Sequence, residues 1–382
     1  MDFSLTEDQQ MFQRMVRDFA TKEIEPIAAR IDETEEFPSE CINKMAELGL
    51  FGVTISEEYG GSCGDSIHLV IAEEELARAS GGIGAIYLAS LSLACYPIYK
   101  FGNDEQKRRY VAPQARGEKL CAFALTEPGA GSDVVSLEMT AEKQGNEYVL
   151  NGTKIFITNG VEAGTIVAFA TIDKSKRHRG ITAFIVEKDT PGFSIPRKED
   201  KLGIRASSTA ELLFENCRIP AENRLGEEGQ GFKVAMEAID SSRITVAAQA
   251  VGIARAALEA SVSYAKDRQQ FGGPIANLQA IQWKLADMAT SINAARFLTY
   301  HAAYLKDMKM PFIKEAAMAK LFAGEASMSI TNQAIQIHGG YGYTKEYPVE
   351  RFFRDAKITE IYEGTSEMQR MTIAKDLLRE PK

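Results

Sequence analysis

The sequence predicts an α+β multidomain chain: an N-terminal helical domain over residues 1–119, a middle antiparallel β domain over 120–231, and a C-terminal helical domain over 232–382. Three observations predict it. In the first third, apolar residues recur at three- and four-residue spacing, as in "MFQRMVRDFA" and "IHLVIAEEELARAS", the period of a helix face. From about Leu120 to Leu225, short runs rich in β-branched and aromatic residues alternate with turn residues. After Gly231 the helical spacing returns in three long proline-free stretches. Their apolar stripes are wide enough for a bundle that also buries surface against another subunit.

Each element has its own signal. Thr6-Glu-Asp-Gln9 forms a capping box that opens the first helix. In "EYVLNGTKIFITNG" two β-runs flank Asn151-Gly152, a strong hairpin signal, and a second Asn-Gly follows at 159–160. "TIVAFATID", "ITAFIVEKD" and "AELLFENCRI" extend the set to an antiparallel sheet or small barrel. The long helices start near "FKVAMEAID", "LQAIQWKLAD" and "KEAAMAKLFA".

Composition narrows the function. The 382-residue chain carries a net charge of -9, which argues against non-specific binding to nucleic acid or an anionic membrane. Residues 233–382 hold 19 basic and 16 acidic residues, so an acidic ligand is more easily accommodated there. The five cysteines contain no C-x-x-C pair and fit reduced thiols in the cytoplasm. The N-terminus carries neither a signal nor a transit pattern. No apolar run is expected to reach the length of a membrane span.

Familiar cofactor motifs are missing. Gly82-Ile-Gly84, Gly229-Gln-Gly231 and Gly340-Tyr-Gly342 each lack the third glycine of G-x-G-x-x-G. The four histidines show no metal-ligand spacing, and His338 reads as a packed or solvent-bonded histidine. The loop "FALTEPGAGSD" at 123–133 differs, because its glycines and hydroxyls can point N–H groups at an anionic or carbonyl acceptor. A plain polar turn explains it equally well.

Four further blocks accompany this loop: "KIFITNG" at 154–160, "DRQQFGGPI" at 267–275, "QIHGGYGYTKEYPVERFFRD" at 336–355 and "IYEGTSEMQR" at 361–370. In this order and spacing the chain resembles the acyl-CoA dehydrogenase family along its whole length, and most of all the short-chain, butyryl-CoA-type bacterial members. The resemblance implies an N-terminal α domain, a middle β domain and a C-terminal four-helix bundle, assembled as a homotetramer. It also implies FAD held without a G-x-G-x-x-G motif.

Carried onto this chain, the resemblance implies that Phe123, Leu125, Thr126, Gly131 and Ser132 line the flavin, with Ser132 also near CoA. Phe156 would lie against the isoalloxazine, and the Thr158 hydroxyl would bond flavin N5. Arg268, Phe271 and Gln279 would reach the dinucleotide of a neighbouring subunit, where Arg suits phosphate. Gln336, Gly339 and Gly340 would approach the same group, and Thr365 and Glu367 would complete that site. Phe232, Asp240 and Arg243 match CoA-contacting positions, and Tyr87 matches the acyl pocket. Without the resemblance, Arg268 reads as a surface ion-pairing residue, Phe156, Phe271 and Tyr87 as core aromatics, and Asp240 and Glu367 as helix charges.

The implied reaction removes an α-proton and a β-hydride from an acyl-CoA thioester, giving trans-2-enoyl-CoA and passing electrons to an electron-transferring flavoprotein. Glu363 is the candidate base, with Tyr362 as an apolar wall and Gly364 allowing close approach of the thioester. Burial would raise its pKa toward the working range. Some family members carry the base one residue before the position of Arg243; here that residue is Ser242. The uncharged stretch Gly81 to Ile98 matches the acyl pocket. It favours a short chain over a dicarboxylyl group, with branched or cyclic chains left open. An acyl-CoA oxidase is usually much longer, and a DNA-associated branch of the fold would need a more basic C-terminal face.

Overall fold

The computed structural model describes residues 4–379. Its first part is helical: α1 (Glu7–Phe19), α2 (Glu25–Thr34), α3 (Ser39–Glu47), α4 (Ser66–Ala79), α5 (Gly81–Leu88), α6 (Tyr96–Phe101), and the short α7 (Asp104–Gln106) and α8 (Ala112–Ala115). The capping box forms as read. The Thr6 hydroxyl accepts from the Gln9 N–H at 3.2 Å, and the Gln9 side chain accepts from the Thr6 N–H at 3.1 Å. Helix α5 continues through a π-helical stretch, Ala89–Cys95, into α6. One expectation needs correction, because Gly81–Phe101 is by length and composition long and apolar enough to cross a membrane. Inside the protein 89% of its apolar window is buried, so it serves as a core helix.

The middle part is one eight-stranded sheet built from β1 (Cys121–Ala124), β2 (Thr140–Gln144), β3 (Glu147–Thr158), β4 (Thr165–Thr171), β5 (Ile181–Glu187), β6 (Phe193–Lys198), β7 (Thr209–Pro220) and β8 (Arg224–Leu225). The order is β6-β7-β3-β2-β4-β5-β8, with β1 beside β4. Pairing is antiparallel except for β1 with β4 and one contact of β2 with β4.

Asn151-Gly152 is not the hairpin turn. Strand β3 runs through it for 12 residues and makes a bulge against β7. Gly152 has φ 149°, and a Cβ there would lie 2.8 Å from the Met139 Cα. The Asn151 side-chain oxygen accepts the Asn216 N–H at 2.7 Å. The hairpin turns instead at Gly145-Asn146, where Gln144 pairs with Glu147. Asn159-Gly160 does end β3, but the following strand, β4, is not its neighbour.

The last part comprises α9 (Gly231–Asp267), a two-stranded ribbon of β9 (Gln269–Gln270) and β10 (Gly273–Pro274), α10 (Gln279–Asp307), α11 (Ile313–His338), α12 (Val349–Lys357) and α13 (Ser366–Leu377). Helices α9, α10 and α11 pack on one another, α13 packs on α11, and α4 and α12 lie against α9. Trp283, Phe297, Tyr304 and Phe322 stay exposed on α10 and α11, which is the extra apolar surface that the wide stripes announce.

Candidate active site

The turn between α12 and α13 carries "IYEGT". Glu363 and Gly364 both adopt left-handed backbone, at φ 54° and 95°. Glycine does this freely, and a Cβ at 364 would lie 2.8 Å from Gln369 Nε2. A glutamate in this conformation costs about 1–2 kcal/mol, so the surroundings must hold it. The Gly364 carbonyl accepts from Lys320 Nζ at 2.6 Å and from Gln369 Nε2 at 2.8 Å. Thr365 caps α13 by accepting the Met368 N–H at 3.4 Å, and Glu367 is exposed in the first turn.

Glu363 is half-buried, and its carboxylate accepts a hydrogen bond from the Ser242 hydroxyl of α9. Desolvation pushes its pKa from 4.5 up to about 7, against the opposing pull of Ser242, Lys320 and Arg243. A carboxylate tuned to this range can take a proton from a weak carbon acid and return it. Lys320 is itself buried, which brings its ammonium down to about 8.

The walls come from α5 with its π-helical continuation and from α9. Leu88, Ala89 and Val246 form a small apolar cluster against Tyr362. The Tyr362 hydroxyl donates to Gln249 Oε1, and Gln249 Nε2 donates to the Gly81 carbonyl at 3.0 Å. Arg243 is buried, pairs with Asp240 at 2.8 Å, and among the described residues its Nε has no partner. Tyr87 does not join this wall. It is fully buried beside Phe51 in the main core, and its hydroxyl donates to the Leu50 carbonyl at 3.1 Å. Leu88, one residue later on α5, belongs to the cluster against which Tyr362 packs. Phe232 also packs on the core, edge-on to His178 at 5.8 Å.

A second group joins two of the sequence blocks. The Ile155 N–H donates to the Thr126 carbonyl at 2.9 Å. Beneath it, buried Lys154 pairs with Glu127 at 2.7 Å and donates to the Leu125 carbonyl at 3.0 Å. Glu127 in turn accepts the Met139 N–H at 3.0 Å. This bracing leaves Phe156 60% exposed at φ 58°, with half-buried Thr158 beyond it and Gly131 and Ser132 exposed on the loop. Phe123 packs on Phe169, and Leu125 is buried.

A third group lines a cavity of about 620 Å³ that includes Tyr264, Arg268, Phe271, His338, Gly339 and Gly340. Glu363 is not among its lining residues. Phe271 is 93% exposed at the tip of the β9–β10 ribbon. His338 stacks on Tyr264 at 4.2 Å and bonds the Ala334 carbonyl through Nδ1, while its Nε2 has no partner among the described residues. Nothing lies within 4 Å of a Cβ built at Gly339 or Gly340. An arginine, an open glycine pair and an unpaired ring nitrogen suit a phosphorylated, aromatic ligand. Gln336 and Gln279 are exposed and do not line the cavity.

Sequence reasoning missed Lys320, Gln249, Glu127 and Lys154. A lysine or glutamine on a helix gives no local sign that its partner is a carbonyl more than forty residues away.

The family models for the acyl-CoA dehydrogenase N-terminal, middle and C-terminal domains match residues 6–118, 122–217 and 229–378. The chain is 54% identical to acryloyl-CoA reductase (NADH) of Anaerotignum propionicum, over 99% of this chain and 96% of that one. Butyryl-CoA dehydrogenase of Megasphaera elsdenii matches in structure with a TM-score of 0.98 and 48% identity, covering 99% of this chain and 100% of that one. A chain from the structure described as the electron transferring flavoprotein of Acidaminococcus fermentans also has a TM-score of 0.98, at 51% identity and full coverage of both chains. With three domain models matched in order along its length, the protein belongs to the acyl-CoA dehydrogenase family.

Proposed function

We propose that the protein is an FAD-dependent dehydrogenase of short-chain acyl-CoA thioesters, forming trans-2-enoyl-CoA with Glu363 as the α-proton base. The observation that carries this reading is the half-buried Glu363 carboxylate, held on strained backbone with its pKa raised to about 7. FAD, when bound, supplies the hydride acceptor. The residues that would hold it are the loop at 123–132 with Phe156 and Thr158, and from a neighbouring subunit Arg268, Phe271 and the Gly339-Gly340 pair. Arg243 and Asp240 would meet the CoA arm, and Tyr362, Leu88 and Val246 would confine the chain. The names of the acryloyl- and butyryl-CoA relatives support a short acyl group.

A homotetramer is supported by the apolar side chains exposed on α10 and α11. An electron-transferring flavoprotein as acceptor is supported by the neighbour so described. The five free cysteines suit a reducing, cytoplasmic setting. The relative named as a reductase also favours the reverse reaction as a second reading, in which protonated Glu363 delivers the α-proton.

The test is anaerobic bleaching of the flavin near about 450 nm with straight, branched and cyclic acyl-CoAs of increasing length. Four-carbon chains should bleach it fastest, and no bleaching with any thioester would sink the proposal. The pH dependence follows from the base. Because the ionised form is active, kcat/KM should rise with pH up to about 7 and level off above it. Ser242→Ala removes a donor that stabilises the ionised form, so the midpoint should move upward. An unmoved midpoint would show that this hydrogen bond plays no part in tuning the base.

A further inference from the structure

Helix α4 carries three consecutive glutamates that are all buried, and two of them are fully accounted for. Glu74 pairs with Arg255 at 2.8 Å and with Arg296 at 2.6 Å. Glu75 pairs with Arg17 and Arg255, each at 2.8 Å. Glu73 faces another way. It is 0% exposed, and among the described residues neither of its carboxyl oxygens has a hydrogen-bond partner.

Its surroundings place it behind the active site. A Cβ built on Gly84 would lie 2.5 Å from Glu73 Oε1, so only glycine on α5 leaves room for this carboxyl. One helical turn beyond Gly84 on the same face stands Leu88, which packs with Val246 and Tyr362 beside Glu363. Tyr362 feels the charge of Glu73, and Glu73 in turn feels that of Glu363. Burial, reinforced by the Glu363 charge, pushes the Glu73 carboxyl well above the usual carboxylate range and favours its protonated form. It therefore offers one O–H donor and one carbonyl acceptor that no protein group uses. A buried polar group left unpaired costs stability, and a ligand group that bonded it would relieve that cost.

We propose that the closed end of the acyl site is built for a polar tail, with Glu73 binding a hydroxyl at the fourth or fifth carbon of the acyl chain. This rests on the dehydrogenase reading. The second and third carbons are the reacting pair, so a recognised group must lie beyond them. A distal carboxylate is disfavoured by the two acids it would meet. An ammonium would demand a desolvated ion pair and would lower the pKa of the Glu363 base.

The experiment compares kcat/KM of the holoenzyme for butyryl-CoA, 4-hydroxybutyryl-CoA and 5-hydroxyvaleryl-CoA, in wild type, Glu73→Gln and Glu73→Val. Wild type should prefer one hydroxylated chain over butyryl-CoA by about tenfold or more. Glu73→Gln should keep most of that preference, and Glu73→Val should abolish it. A merely structural Glu73 would change all three substrates alike. Preference of the wild type for butyryl-CoA, or an unchanged ratio in Glu73→Val, overturns the inference while leaving the dehydrogenase reading intact. Failure of every chain to reduce the flavin overturns that reading as well.

Discussion

Glu363→Gln should yield a folded, yellow protein whose flavin acyl-CoA no longer reduces, with kcat lower by about a thousandfold. The amide matches the carboxylate in shape, can still accept from the Ser242 hydroxyl, and leaves the Lys320 and Gln369 bonds to the Gly364 carbonyl untouched. What disappears is the basic lone pair. Rapid-mixing measurement of flavin reduction separates the two effects, because FAD content reports binding and the reduction rate reports proton removal. A rate within about tenfold of wild type would show that another group takes the proton.

The largest effect on stability is expected at a distance from the base. Lys154→Met leaves the Glu127 carboxylate, 5% exposed, without its ammonium partner, and breaking a buried pair from one side costs about 3–5 kcal/mol. The damage should extend to cofactor retention, since Lys154 also holds the Leu125 carbonyl and braces the loop at 123–133. Chemical denaturation should show a large loss in Lys154→Met and partial recovery in the double variant Lys154→Met/Glu127→Gln. A single variant within about 1 kcal/mol of wild type would mean that the pair contributes little to the fold.

Periodicity made the order of helices and strands legible, because burial of one face leaves a repeating trace in any sequence. Thr6 and Gln9 were legible for a related reason: a capping box is completed within four residues. Asn151-Gly152 misled because its turn chemistry also serves a bulge, and whether the chain turns or kinks depends on β7, more than fifty residues away. Phe156 and Phe271 read as core residues by composition, yet both stand exposed at positive φ. Glu73 did leave a sign, since it occupies an apolar position of the α4 pattern between Leu69 and Leu76, at the spacing of one helix face. A charge on that stripe marks either an ion pair or a site, and only the tertiary structure separates Glu73 from the paired Glu74 and Glu75.

The two left-handed residues at 363 and 364 also bear on how such an enzyme can diverge. Glu363 is anchored through the neighbouring backbone carbonyl by α11 and α13, its proton affinity is adjusted by a hydroxyl on α9, and in the proposed reading the far end of the acyl site is shaped by α4 and α5. No single side chain governs all three properties. A lineage can therefore exchange residues on α4 and α5 and acquire a new acyl preference while the proton-transfer geometry is inherited unchanged.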